Sequence, residues 1–256
     1  MYDANELAPL SGRNVQEGEV YSALRKAIVE LYLQPGVILS MKDICEHLSI
    51  GRSPVRDALI RLDQEGLVTL LPQKGTMISQ IDSWRVEQER FLRISVEEEV
   101  MALFMACHTS SDIYLLQDIL RRQQECADKE GTHFREFLDL DDEFHHLFYR
   151  VTDKEFCYQM IQNVSGHYQR MRLLSCGIGD RLREIIDQHN AMITALQSRD
   201  TEVMNNLFHL HLRKVDREER LVQKTYPNLF KGEGNIGSAN PFWKFDYLQT
   251  LKQKKE

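Results

Sequence analysis

Asp141 and His145 stand four residues apart, so on a helix they project together along one edge. The stripe beside them, Leu140, Phe144, Leu147, Phe148 and Val151, is apolar. Further on, His189 falls within a stripe of Ile185, Met192, Ile193 and Leu196, and His211 within one of Met204, Leu207, Phe208 and Val215. At about 100° per residue His209 points away from that second stripe. A neutral imidazole among apolar side chains must find a partner, because burying it unpaired costs about 1–3 kcal/mol. Taken one at a time, each of these histidines reads as a core residue bonded to a nearby carbonyl. His108, His133, His146 and His209 stay in that class or on the surface. As a set, three imidazoles and one carboxylate inside a helical bundle suit a divalent Zn, Ni, Mn or Fe ion, with one or two positions open for water or a ligand. His167 lies on the apolar side of its helix with Met160, Val164 and Met171, where it could line the same cavity without binding metal.

A second chemistry is carried by Arg52-Ser53-Pro54-Val55-Arg56. Ser53 suits a helix N-cap and Pro54 the first helical position, where a missing N–H is harmless. A recognition helix turns its N-terminal residues toward base edges in the DNA major groove, which makes Arg52, Ser53 and Arg56 the candidates to reach DNA. Each guanidinium can donate two hydrogen bonds to guanine, worth roughly 1–3 kcal/mol of discrimination. Lys42 and Lys74 would hold the backbone or minor groove. In isolation two arginines beside a helix start are ordinary solvated charges; the elements around them decide otherwise.

Those elements are a helix carrying Val20, Leu24, Ile28 and Leu31 on one face, ended by Gln34-Pro35-Gly36, and a second helix starting at Ser40 with Asp43 three residues on. A short link through Gly51 leads to a third helix that buries Val55, Leu59 and Leu62 and closes at Gly66. Residues 68–71 and 76–79 read as strands joined by Pro72-Gln73-Lys74-Gly75. Three helices and a hairpin make a winged helix-turn-helix. Residues 83–226 have few Pro or Gly and no sustained alternation, so they read as an all-α bundle of about six helices. The fold class is mainly α. Its parts are an N-terminal arm (1–16), the winged domain (17–82), the bundle (83–226) and a tail (227–256) that packs four aromatics into Pro241–Leu248 and docks on its own bundle or on a partner subunit.

The net charge of −7 over 256 residues is the wrong sign for a nonspecific nucleic-acid binder, and residues 17–82 hold seven Lys/Arg against nine Asp/Glu. DNA binding must therefore use a local basic face and depend on salt. Five scattered cysteines without a Cys-x-x-Cys pair suit reduced thiols of a cytoplasmic protein. No apolar run approaches the ~18 residues of a membrane span, and the first residues do not start a signal peptide. An enzyme using the three-His/Asp site to activate water or oxygen is the competing class. No general base stands beside the site by motif, and there is no nucleophile elbow or Gly-rich phosphate loop. A third alternative gives the metal a purely structural role.

Residues 20–81, above all Leu24–Ile28, Gln34-Pro35-Gly36, Arg52–Leu59, Arg61-Leu62 and Glu65–Val68, resemble the DNA-binding domain of the GntR family of bacterial transcriptional regulators. The resemblance implies DNA contacts from Lys42, Arg52, Ser53, Arg56 and the wing at Gln73 and Lys74. Lys42 stands where the family often has Arg, which removes the bidentate fork. The second part resembles the FCD effector-binding domain of the FadR-like branch. Asp141-x-x-Phe144-His145 is similar to its ligand pair, and Gln188-His189, Ala195-Leu196, Asp200 and His211 to its closing motif, including the 22-residue step between histidines. Thr152-Asp153 replaces a frequent Gly-Asn. The resemblance implies metal ligands Asp141, His145, His189 and His211, and a small organic-acid effector whose carboxylate fills an open metal position while an Arg meets its other end. Arg93 is the first candidate for that Arg and Arg170 the second, although Arg93 and Glu97, four apart, equally suit an internal ion pair. A homodimer on a pseudo-palindromic operator is also implied.

Overall fold

A computed structural model describes residues 16–129, 133–213 and 215–232. They form two compact units. The first takes the described residues up to Val86, Gly166–Arg170 and those from Thr225 on; the second takes Glu87–Ser165 and Met171–Lys224. The aromatic stretch Pro241–Leu248 lies outside the described residues.

In the first unit α1 (Val20–Val29), α2 (Met41–Leu48) and α3 (Arg52–Gln64) enclose a core of Leu24, Ile28, Ile44, Leu48, Val55, Leu59 and Leu62. Helix α1 stops short of Leu31. That residue is buried but takes a left-handed φ of 58°, because the chain turns there toward Gly36. Ser40 caps α2 by accepting from the Asp43 N–H at 3.0 Å, as its spacing predicts. Helix α3 begins two residues earlier than its Ser-Pro signature suggests. Gly51 is the extended N-cap, so Ser53 and Pro54 both lie inside the first turn, where Pro still forfeits no intrahelical bond. Tyr21 and Arg25 of α1 bond Glu65 at the end of α3 and fix the helix pair, and the Arg61 guanidinium lies 3.5 Å over the Tyr21 ring.

The wing has three strands rather than two. Strands β2 (Val68–Leu71) and β3 (Gly75–Ile78) form the expected antiparallel hairpin, and β1 (Ile38–Leu39) pairs with the other edge of β3 in the order β1-β3-β2. A two-residue strand carries no readable alternation, so only its partner reveals it. Gly75 is required at this junction: its φ is +114°, and a Cβ would lie 2.5 Å from the Leu39 carbonyl oxygen.

Helices α4 (Ser83–Cys107), α5 (Ser110–Asp128), α6 (Phe134–Val151), α7 (Glu155–Val164), α8 (Gly166–Ser175), α9 (Arg181–Ser198), α10 (Thr201–Arg213) and α11 (Val215–Thr225) follow. The single helix expected over 154–176 is divided at Ser165-Gly166. Both are poor helix residues, and the Ser165 hydroxyl donates back to the Ile161 carbonyl. The helix expected over 201–224 shows helical residues on both sides of Lys214, which is outside the described residues. The second unit packs Phe104, Leu116, Phe137, Phe144, Phe148, Met192, Leu196 and Phe208 into one core. Met101 and Met105 of α4 join it, while Phe91, Leu92 and Leu103 are exposed, so α4 turns one face to the core and the other to solvent. Among the described residues no helix is long and apolar enough to cross a membrane.

Candidate metal centre and DNA-reading face

Helix α6 brings Asp141 and His145, α9 brings His189 and α10 brings His211 to one point in the core of the second unit. All four side chains are buried, and one ligand atom from each lies within 4.8 Å of the others. Phe144 stacks on the His189 ring at a centroid distance of 3.9 Å and an interplanar angle of 4°, which holds that imidazole in place. The His145 and His211 Nε2 atoms are 3.1 Å apart, and His189 Nε2 is 3.5 Å from Asp141 Oδ1. Ligands about 2.1 Å from a common ion are separated by roughly 3.0–3.4 Å along the edges of an octahedron or tetrahedron, so both spacings suit a bound cation.

The proton inventory points the same way. His211 Nδ1 meets Gln188 Oε1 at 2.8 Å and His189 Nδ1 meets Gln123 Oε1 at 2.9 Å. An amide oxygen only accepts, so both rings carry their proton on Nδ1. Burial, reinforced for His211 by His189 and His145, holds its ring well below the ordinary histidine range. Burial likewise lowers His189 to about 3, against the opposing pull of Asp141. Both rings are therefore neutral and turn an Nε2 lone pair inward. One faces a carboxylate oxygen and the other a second imidazole nitrogen. Asp141 Oδ1 and His189 Nε2 have no hydrogen-bond partner despite full burial. A cation among the four ligand atoms relieves these contacts together, so the residues fit a divalent metal of the Zn, Ni, Mn or Fe class.

The carboxylate is prepared for that role from behind. Arg172 bonds Asp141 Oδ2 and, at 2.8 Å, Asp142 Oδ1. Burial works to raise the Asp141 carboxyl, but Arg172 and the three histidines outweigh it and hold it far below the usual carboxylate range. Neither Arg172 nor Gln123 is a sequence-predicted site residue. Gln123 was findable: it is the polar member of the buried stripe Ile113, Leu116, Ile119, Leu120 on α5. Arg172 carries no such signal.

Arg93 is buried and donates to Glu97 Oε1 at 2.9 Å, and Glu97 Oε2 faces His145 Nδ1 at 3.4 Å. Burial alone would raise Glu97, yet Arg93 and His145 bring it down to about 2. His167 and Arg170 belong to the first unit and do not join the ligand set. His167 Nδ1 accepts from the Asp82 N–H at 3.0 Å while its Nε2 donates to the Gly66 carbonyl at 3.2 Å. Arg170 donates to the Ser79 carbonyl at 2.7 Å. Burial, followed by Arg170 and Arg85, lowers His167 to about 3.

The depressed histidines set a pH dependence. A group held below its unfolded value of about 6.5 stabilises the fold above that pH and loses the contribution as pH falls toward the folded value. For His189 the window runs from about 6.5 down to about 3. Urea unfolding of chelator-treated protein should therefore show stability falling between pH 7 and 5.5, by about 1 kcal/mol for each such histidine. An unchanged midpoint would mean that these rings take up protons as readily in the fold as in the unfolded chain.

In the first unit Arg52, Ser53 and Arg56 are exposed on the first two turns of α3. Lys42, its side chain 72% exposed, lies 3.6 Å from Glu46 on α2. Gln73 and Lys74 are exposed in the wing turn, where Gln73 takes a left-handed φ of 62°.

Known proteins place both units. Residues 16–78 match the family described as bacterial regulatory proteins, gntR family, and residues 90–214 match the FCD domain. The chain is 27% identical over 215 residues to the HTH-type transcriptional repressor RspR of Escherichia coli, covering 84% of this chain and 93% of that one. It is 29% identical over 224 residues to an HTH-type transcriptional regulator of Streptomyces ambofaciens, covering 88% and 93%. Among solved structures, E. coli McbR/YncC shares the fold with a TM-score of 0.67 at 20% identity, over 82% of this chain and 98% of that one. With a gntR-type winged domain followed by an FCD bundle, the chain belongs to the GntR family of bacterial transcriptional regulators.

Proposed function

We propose that this regulator binds a divalent metal through Asp141, His145, His189 and His211, and that a small organic acid binding at the metal changes its hold on operator DNA. The observation that carries the reading is the inward set of lone pairs in a sealed core, with Asp141 Oδ1 and His189 Nε2 left unpartnered. Four protein ligands leave one or two positions for an acid carboxylate. Arg93, buried and neutralised by Glu97, is the cation proposed to meet the acid's other end. His167 and Arg170 are not used, because Gly66, Ser79 and Asp82 already engage them.

DNA is read by Arg52, Ser53 and Arg56 in the major groove, with Lys42, Gln73 and Lys74 on the phosphates or minor groove. Two copies bind a pseudo-palindromic operator, and exposed Phe91 and Leu92 on α4 supply apolar surface for their contact. The acid acts by favouring one of two arrangements of the dimer, through its differential affinity for them.

Thermal unfolding against a panel of organic and sugar acids, on metal-loaded and chelator-treated protein, tests the reading. One acid should stabilise only the metal-loaded form, by about 2.7 kcal/mol at 100 times its dissociation constant, and should shift operator affinity. Stabilisation by metal with no acid response would reduce the metal to a structural role. Turnover of an acid would make the protein an enzyme.

A further inference from the structure

The four ligand side chains share a pattern that the ligand set alone does not require. Each offers one atom inward, and the atom behind it meets a residue from another position in the bundle. Asp141 is met by Arg172 of α8, His145 by Glu97 of α4, His189 by Gln123 of α5 and His211 by Gln188 of α9.

We propose that Gln123, Gln188 and Glu97 are the positioning residues of the metal centre, each committing one imidazole to bind through Nε2. The inference rests on the metal reading above and adds how the ligand nitrogens are chosen. Imidazole can bind a metal through either nitrogen, and the hydrogen bond at the other one decides which. The Gln123 and Gln188 amide oxygens, at 2.9 and 2.8 Å from their Nδ1 atoms, accept protons there and leave Nε2 as the lone pair. Glu97 presents Oε2 to His145 Nδ1 across 3.4 Å, and both atoms lack another hydrogen-bond partner.

Gln123 argues most strongly for a functional demand. It is fully buried, and its amide nitrogen has no partner, an expensive arrangement for a residue that merely fills the core. Turning the amide over would place its N–H2 against Nδ1 and force the proton onto His189 Nε2, where it would block a metal. The orientation present therefore suits a ligating ring. Glu97 differs from the two glutamines in charge. Its other oxygen is neutralised by Arg93, so it steers His145 without adding a free anion to the core.

The test is a Co(II) titration of wild-type protein, Gln123→Leu, Gln123→Glu and Gln188→Leu, followed by the visible d–d absorption. Wild type should bind one Co(II) per chain. Gln123→Leu and Gln188→Leu should each weaken binding about 10- to 100-fold and shift the absorption, whereas Gln123→Glu, which still accepts from Nδ1–H, should restore the wild-type spectrum. Gln188 is only partly buried, so its variant serves if the Gln123 variant fails to fold. Cd(II)-loaded wild type labelled with 15N-histidine should show metal coupling to Nε2 of all three rings. Coupling to Nδ1, or glutamine variants with unchanged affinity and spectrum, would overturn the positioning role while leaving the metal site standing. Absence of Co(II) binding by wild type would overturn both.

Discussion

Arg172→Met is expected to destabilise the metal-free protein by about 3–5 kcal/mol, the usual consequence of leaving a buried carboxylate without its cation. Arg172 and Asp141 retain only 10% and 6% side-chain exposure, so solvent cannot take over the charge. A methionine fills much of the same volume, so the loss is electrostatic rather than a cavity effect. In the variant a bound divalent ion becomes the sole strong cation at Asp141. Adding Zn(II) should therefore raise the urea midpoint more in Arg172→Met than in wild type. Equal midpoints for the two metal-free proteins would show that Asp141 is not charged in the fold.

The second large effect is expected on DNA. Arg52→Ala and Arg56→Ala should each lower affinity for a duplex selected by the wild-type protein by about 1–3 kcal/mol and relax the preference at one base pair. Lys74→Ala should weaken binding to all sequences alike and reduce the salt slope by about one. Arg52 and Arg56 are exposed, so their unfolding midpoints should stay within about 0.5 kcal/mol of wild type. Fluorescence anisotropy at several fixed salt concentrations separates the two kinds of loss. If Arg52→Ala and Arg56→Ala lowered binding equally on selected and random duplexes, these side chains would be phosphate contacts and not readers of sequence.

The helix-turn-helix order was legible in the sequence because its signals are local: a stripe, a cap, a Gly-containing link and a turn. Where local signals overlap, the boundary moved. Ser53 and Pro54 fit an N-cap and a first position in isolation, but Gly51 takes the cap and the helix starts at Arg52. Strand β1 exists through pairing of Ile38 with Met77 and Leu39 with Thr76, across a separation that no local pattern spans. The division of the 154–176 helix at Ser165 depends on a weak propensity reinforced by one hydroxyl contact, below what periodicity detects.

By itself the sequence determined which residue types carry the chemistry and which face of each helix they occupy, because a 3.6-residue period fixes the azimuth of every side chain about its own axis. Tertiary structure alone decided which faces meet. It gathered Asp141, His145, His189 and His211 within 4.8 Å, and it assigned His167 and Arg170 to the unit that contains Gly66, Ser79 and Asp82. It also chose the partners behind the ligands. Gln123 and His189 are 66 positions apart, and Arg172 and Asp141 are 31 apart. A hydrogen bond across such separations depends on how helices pack, and packing is set by the whole core rather than by either segment.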